Sequence, residues 1–267
     1  MTTGRPGRRR RAAPAWIAAL LPGAVVLLLL VAWEVLVRAR SIPPYILPAP
    51  SAVLGALAAD WAILGPALAV TLRITILGFA TALLGGLALG FLLTRARWAE
   101  RAFAPIAVIL QVTPLIAIAP IILIYAGTEA TVAISVVLVA FFPVLAGTLV
   151  GLRSAEPGLR DLFALYRAKP LERLLHLELP SALPFILTGA RTAAGLSLIG
   201  AVVAEFVAGT GGAGSGLAYR VVEASYRLNV PRLFAAVVLI CLAGLGLYGC
   251  VALASRILLR RWHPSGR

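Results

Sequence analysis

Residues 151–184 read GLRSAEPGLRDLFALYRAKPLERLLHLELPSALP, and this stretch breaks the character of everything around it. It holds Arg153, Glu156, Arg160, Asp161, Arg167, Lys169, Glu172, Arg173 and Glu178, while long runs of Ala, Val, Leu, Ile and Gly lie on either side. Prolines stand towards both of its ends. A charged, partly helical insert in so apolar a chain needs a place outside lipid and a reason to exist.

The 267-residue chain is 61% hydrophobic and 13% charged, with a mean hydropathy of +0.99. Soluble domains run near 45–50% apolar and about 25% charged, so the composition is that of a membrane protein. The net charge of +14 raises nucleic-acid binding, which requires basic residues clustered on a soluble face. Here they fall between apolar runs, as loops that set membrane orientation do, and no nucleic-acid partner is expected.

Six apolar runs follow a basic tail over residues 1–15: Trp16–Val37, Leu68–Leu93, Phe103–Tyr125, Thr131–Val150, Leu183–Ala208 and Leu233–Ala254. The first run lacks an A-x-A cleavage pattern and reads as an uncleaved span rather than a signal peptide. Between the first two runs, clustered prolines exclude a regular helix up to Pro50, and Ser51 is a plausible N-cap for a short helix to about Ala59. Six spans place both termini on one side. With the tails, the turn at Thr94–Arg101 and the insert, that side holds seventeen basic residues, and the other holds five. The positive-inside rule then makes it cytoplasmic, the insert included. The expected organisation is a cytoplasmic tail (1–15), a membrane domain (16–255) with a cytoplasmic loop at 151–182, and a second basic tail (256–267), in an all-α, multi-pass protein of the cell inner membrane.

The residues offer little catalytic chemistry. A Walker A loop needs Gly-Lys followed by Ser or Thr, but Lys169 is the only lysine and Pro170 follows it, so any ATP-driven step uses another chain. Gly209-Thr-Gly-Gly-Ala-Gly214 matches G-x-G-x-x-G without the βαβ context that gives the pattern meaning. It reads as a tight turn at the membrane surface. The two histidines, His176 and His263, lie outside the spans, and Cys241 and Cys250 sit nine positions apart in the last run as small hydrophobes. No catalytic residue, metal site or cofactor is expected. Glu205 is the one carboxylate in the fifth run, which makes it a candidate for direct function or for packing and gating support. Glu34 reads as structural, and Arg73 and Arg191 as snorkelling or locally paired. Pro114, Pro120 and Pro143 interrupt helices, and broken helices line pathways. Gln111, Thr113 and Ser197, with Glu205, are therefore candidates for a translocation path or gate, against simple kinks in packed helices.

Within the insert, Asp161-Leu162-Phe163 stands six residues before Arg167, and Leu177-Glu178-Leu179-Pro180 follows. This resembles the cytoplasmic loop of binding-protein-dependent ABC importer permeases, E-A-A, three residues, G, nine residues, I-x-L-P. Asp161 stands at the Glu position, Arg167 at the Gly and Leu177 at the Ile, and Leu179-Pro180 matches outright. "ILPAPSAVLGAL" (46–57), "LPSALPFILTGARTAAGLSLIGAVVAEFVAG" and the glycine-rich loop are similar to permeases of the nitrate/sulfonate/taurine group and its thiamin-pyrimidine-precursor branch. The resemblance implies a MetI-like permease fold and a non-catalytic subunit of an ATP-driven importer. It also implies ABC ATPase subunits, a periplasmic or extracellular solute-binding protein, and a second permease copy in a homodimer. The loop would couple to the ATPase through Asp161, Leu162, Phe163, Leu165, Tyr166, Arg167, Leu177, Leu179 and Pro180, with a helix from about Leu159 to Ala168. Leu162 and Phe163 replace the two alanines. Arg167 lacks the freedom at positive φ that Gly has, so the turn is expected elsewhere, at Lys169-Pro170, or the helices are more continuous. The rival is a self-contained secondary transporter, which calls for coupling carboxylates near the midplane and paired broken repeats.

Overall fold

In a computed structural model, residues 15–209 and 214–260 are described; the basic tail up to residue 14, Thr210–Ala213 of the glycine-rich loop and residues 261–267, with His263, lie outside them. Every regular element among the described residues is helical. In chain order they are α1 (Ala15–Ala39), α2 (Pro50–Ala59), α3 (Trp61–Arg95), α4 (Arg97–Val112), α5 (Leu115–Arg153), α6 (Pro157–Leu165), α7 (Pro170–Arg173), a π-helical turn (Leu174–Glu178), α8 (Leu179–Ala208), α9 (Leu217–Tyr226) and α10 (Val230–Leu259).

Five stretches are long and apolar enough to cross a membrane: Leu21–Ala39, Trp61–Arg95, Leu115–Arg153, Pro170–Ala208 and Val230–Leu259. The third apolar run is interrupted at Pro114 as expected, but its remainder joins the fourth run in α5. The cut falls at Thr113–Pro114, where α4 ends and α5 begins, because Pro114 lacks an N–H and restricts the residue before it. Pro120 and Pro143 stay inside α5, and its internal irregularity is at Gly127 (φ 75°, ψ 178°), which only glycine adopts readily.

Packing between the long helices rests on small residues. Gly78, Gly86 and Gly90 of α3 face Val136, Val144 and Thr148 of α5. The offset is constant, so α3 and the second half of α5 run parallel. Against α8 the order reverses. A Cβ on Gly147 would lie 2.7 Å from the Phe185 carbonyl oxygen, and one on Gly151 2.8 Å from that of Ala182, while Gly189 abuts the Pro143 carbonyl. α5 and α8 are therefore antiparallel, with backbones in contact. In lipid, where apolar surface gains nothing by leaving the solvent, such close approach supplies the dispersion that holds helices together. The C-terminal ends of α3 and α5 and the N-terminal end of α8 share one end of the bundle.

At the opposite end Val53, Leu64, Leu217, Ala235 and Leu239 join α2, α3, α9 and α10 in one apolar cluster. There Arg232 donates twice to Asp60, at 2.6 Å each. α1 stands apart, its residues from Leu21 to Leu30 all exposed, and touches the bundle through Trp33 against Phe234. Ser51 is not the N-cap of α2. Ala49 takes that position with Pro50 first in the helix, as its fixed φ favours, and Ser51 lies in the first turn.

Candidate functional site

The insert folds into a mounted helix. α5 ends at Ser154, whose hydroxyl donates to the carbonyls of Gly151 (2.7 Å) and Ser181 (3.0 Å), fastening the two ends of the insert together. Pro157 opens α6, which is shorter than expected and ends at Leu165. Leu162, Leu165 and Tyr166 remain 45%, 79% and 78% exposed, whereas Phe163 is half-buried and Asp161 faces solvent. Leu159, exposed on the same helix, extends this apolar face beyond the residues singled out from the sequence. Three of its large side chains thus stand uncovered on a nine-residue helix.

The turn after α6 corrects the reading of Arg167. It takes the left-handed conformation itself, with φ 48°. The Ala168 N–H donates to the Phe163 carbonyl and the Arg167 N–H to that of Ala164, both at 3.0 Å. This pair of bonds is the Schellman helix stop, which most often has glycine at that position. Lys169-Pro170 then starts the next helix, and the Lys169 N–H donates to Glu172 Oε2 at 2.9 Å. Leu177 is buried, Leu179 and Pro180 are half-buried, and Arg173 pairs with the buried Glu178 at 2.7 Å. The second half of the insert is thus anchored into the bundle, and α6 projects from it.

Glu205 has an explicit structural task at the opposite end. Its Oε1 accepts from Thr71 Oγ1 (2.8 Å) and its Oε2 from the Ala218 N–H (3.0 Å), while the Leu217 N–H donates to Thr71 Oγ1 (2.8 Å). Gly216 precedes α9 with its α-carbon against this carboxylate, where any Cβ would collide. Glu205 and Thr71 therefore satisfy the first free N–H groups of α9, with the carboxyl oxygens at the positive end of the helix dipole. The sequence signal for this was Gly216 just before "LAYR"; nothing local pointed to Thr71. Glu34 does the same for α2, accepting from the Ser51 N–H (3.0 Å) and hydroxyl (2.8 Å) and pairing with Arg38 at 2.6 Å.

Beside Glu205 lies a cavity of about 610 Å³ lined by Arg73, Glu129 and Tyr219 among others. On α9, hydrogen bonding from Arg220 is the main cause that holds the Glu223 carboxyl below the usual carboxylate range. Gln111 and Thr113 line a separate cavity of about 250 Å³ with Leu138, Phe142 and Pro143, at the break between α4 and α5. Ser197 is fully buried and donates to the Ala194 carbonyl (2.8 Å), so it faces packed helix rather than either space. Of the two expectations for Arg191, local pairing is not seen, and its Nε is buried without a hydrogen-bond partner. Among the described residues no group of His, Cys, Asp and Glu is placed to hold a metal ion.

Residues 82–264 match the family model for the binding-protein-dependent transport system inner membrane component. This chain belongs to that family. The permease is 36% identical over 87% of its length to a probable ABC transporter permease protein of Haemophilus influenzae, covering 94% of it. It is 35% identical over 94% of its length to the riboflavin transport system permease protein RibX of Chloroflexus aurantiacus, covering 92%. It is 32% identical over 90% of its length to the formylaminopyrimidine transport permease protein ThiX of Halalkalibacterium halodurans, covering 95%. The permease is thus a multi-pass transport subunit of ABC-importer type, and the matches favour that reading over a self-contained secondary transporter.

Proposed function

We propose that this permease forms half of an import pore and is driven by separate ATPase subunits that grip α6. The observation that carries the proposal is the exposed apolar face of Leu162, Leu165 and Tyr166 on a helix whose mount is tied to the bundle. An uncovered patch of that kind on a loop outside lipid calls for a partner, and flanking Asp161, Arg160 and Arg167 supply charged rim contacts. Nucleotide binding moves the pore only if the ATPase prefers one permease conformation over the other. A tight mount transmits that preference to α5 and α8.

In this reading the chain makes six passages: α1, α3, α4 with the first part of α5, the rest of α5, α8 and α10. Support comes from the parallel course of α3 and the second half of α5, which needs an intervening return, and from the ion pair between Glu100 at the start of α4 and Arg153 at the end of α5. Both termini and α6 then face the cytoplasm, and α2, α9 and the Glu205 cavity face a solute-binding protein outside. The path runs between two copies of the chain, with Gln111, Thr113 and the Glu205 cavity along it. The solute is a flat nitrogen heteroaromatic of the vitamin or vitamin-precursor type, after the names of the two relatives at 32% and 35% identity.

The docking assignment is tested with Leu165→Asp/Tyr166→Asp, chosen because both side chains are far exposed and their replacement leaves the bundle intact. The variant is expected to reach the membrane at wild-type levels and to lose co-purification of the cognate ATPase. Unchanged ATPase affinity would show that α6 is not the docking element.

A further inference from the structure

Where the ends of α3, α4 and α5 meet α6 and α7, they enclose a cavity of about 470 Å³. Five guanidinium groups line it, against two carboxylates. Both carboxylates are engaged, Glu100 with Arg153 and Glu178 with Arg173. Arg95 and Arg101 face the cavity without an ion-pair partner among the described residues. Arg160 reaches the Leu152 carbonyl at 3.2 Å through one nitrogen, and its Nε is buried without a partner. Guanidinium does not lose its proton in a protein, so the excess positive charge stays until an anion enters.

The surroundings indicate where the anion comes from. On α4, which helps to form the cavity, Trp98 is 77% exposed, as aromatic side chains at the headgroup level of a bilayer are. Further along α4, Ile106, Ile109 and Val112 are exposed, and Leu92 is exposed one turn before Arg95 on α3. A charged cavity beside apolar helix flanks suits a molecule with an anionic head and acyl chains. Basic pockets of this kind between helix ends hold lipid phosphates, and planar guanidinium forks match phosphate oxygens in pairs.

We propose that this cavity holds a phosphate group, that of an anionic phospholipid from the leaflet on the α6 side, with Arg95, Arg101 and Arg160 as its ligands. Because Arg160 belongs to α6 and Arg95 and Arg101 flank the α3–α4 turn, the bound phosphate ties the projecting helix to the bundle. The inference stands whether or not α6 docks an ATPase, since it concerns lipid bound to this chain alone.

The purified full-length chain in a neutral detergent is titrated with dioleoyl phosphatidylglycerol, dioleoyl phosphatidylcholine or inorganic phosphate. Lipid adducts are counted by native mass spectrometry, and the unfolding midpoint is followed by tryptophan fluorescence. Phosphatidylglycerol is expected to bind and to raise the midpoint. Arg95→Gln/Arg101→Gln is expected to bind it roughly thirtyfold more weakly, at the usual worth of two basic residues near anionic lipid. Arg95→Lys/Arg101→Lys keeps the charge but loses the paired contacts, and is expected to bind between the wild type and the glutamine variant. Arg40→Gln/Arg227→Gln, which removes two charges elsewhere, leaves it unchanged. Equal loss in that control, equal binding of phosphatidylcholine, or unchanged binding by the glutamine variant overturns the site. Occupation by inorganic phosphate that excludes the lipid overturns the lipid as its source.

Discussion

Three helices of this permease stop on a residue with a side chain where glycine is usual. Ser41 after α1, Arg167 after α6 and Leu228 after α9 all have φ between 48° and 55°. Each is followed by the same long bond to the helix: Ile42 to Val37 and Ala168 to Phe163 at 3.0 Å, and Asn229 to Ala224 at 2.9 Å. Hydrogen bonding thus holds an L-residue in a conformation that costs it about 1–2 kcal/mol. Arg167→Gly is therefore expected to stabilise the permease by up to about 1 kcal/mol, part of the relief being lost to glycine's greater freedom when unfolded. A higher thermal midpoint with unchanged helix content checks this, and a lower one would mean that the arginine side chain contributes more than its backbone strain costs. The spacing around Arg167 was legible in the sequence. Its backbone state was not, because residue type sets only a preference and the closing hydrogen bonds decide.

At the scale of elements, two carboxylates from long helices cap short helices that follow them. Glu34 sits at the start of α2 and Glu205 at the start of α9. Such a link fixes the start of each short helix, while its apolar face packs in the cluster with α3 and α10. Glu205→Ala leaves the Ala218 N–H and the Thr71 hydroxyl without their acceptor, at about 1–3 kcal/mol for each buried orphan. The expected result is a lower thermal midpoint and faster amide exchange confined to α9. Glu205→Gln keeps one acceptor oxygen and is expected to recover part of the loss. Equal behaviour of the alanine and glutamine variants in both measurements would rule out the capping role. From the sequence Glu205 stood out as a lone carboxylate in an apolar run, which is a local signal. Thr71, 134 positions away, carried none.

Across the whole molecule, one stack of small residues sets how α3, α5 and α8 meet. Gly189 lies against the Pro143 carbonyl inside a helix that the proline does not end. Gly189→Val has no room to relax, since backbone faces backbone, and is expected to cost about 1–3 kcal/mol or more by forcing the helices apart. Loss of monodispersity in detergent, together with a lower midpoint, would register this; a wild-type melt would show that α5 and α8 have slack. The Gly86-x-x-x-Gly90 spacing was visible in the sequence, but its partners on α5 were not.

The charged insert at 151–184, the apolar runs and the basic side of the bundle were determined by the sequence alone, because hydropathy, charge and turn chemistry act over a few residues. Only tertiary structure decided that Glu205 serves α9, and the closing bonds of Arg167, although local, showed only in the folded chain. Tertiary packing also gathered five arginines from five helices around one cavity. The Glu205 bonds and the arginine cavity depend on groups far apart in the chain, which meet only after the long helices have packed.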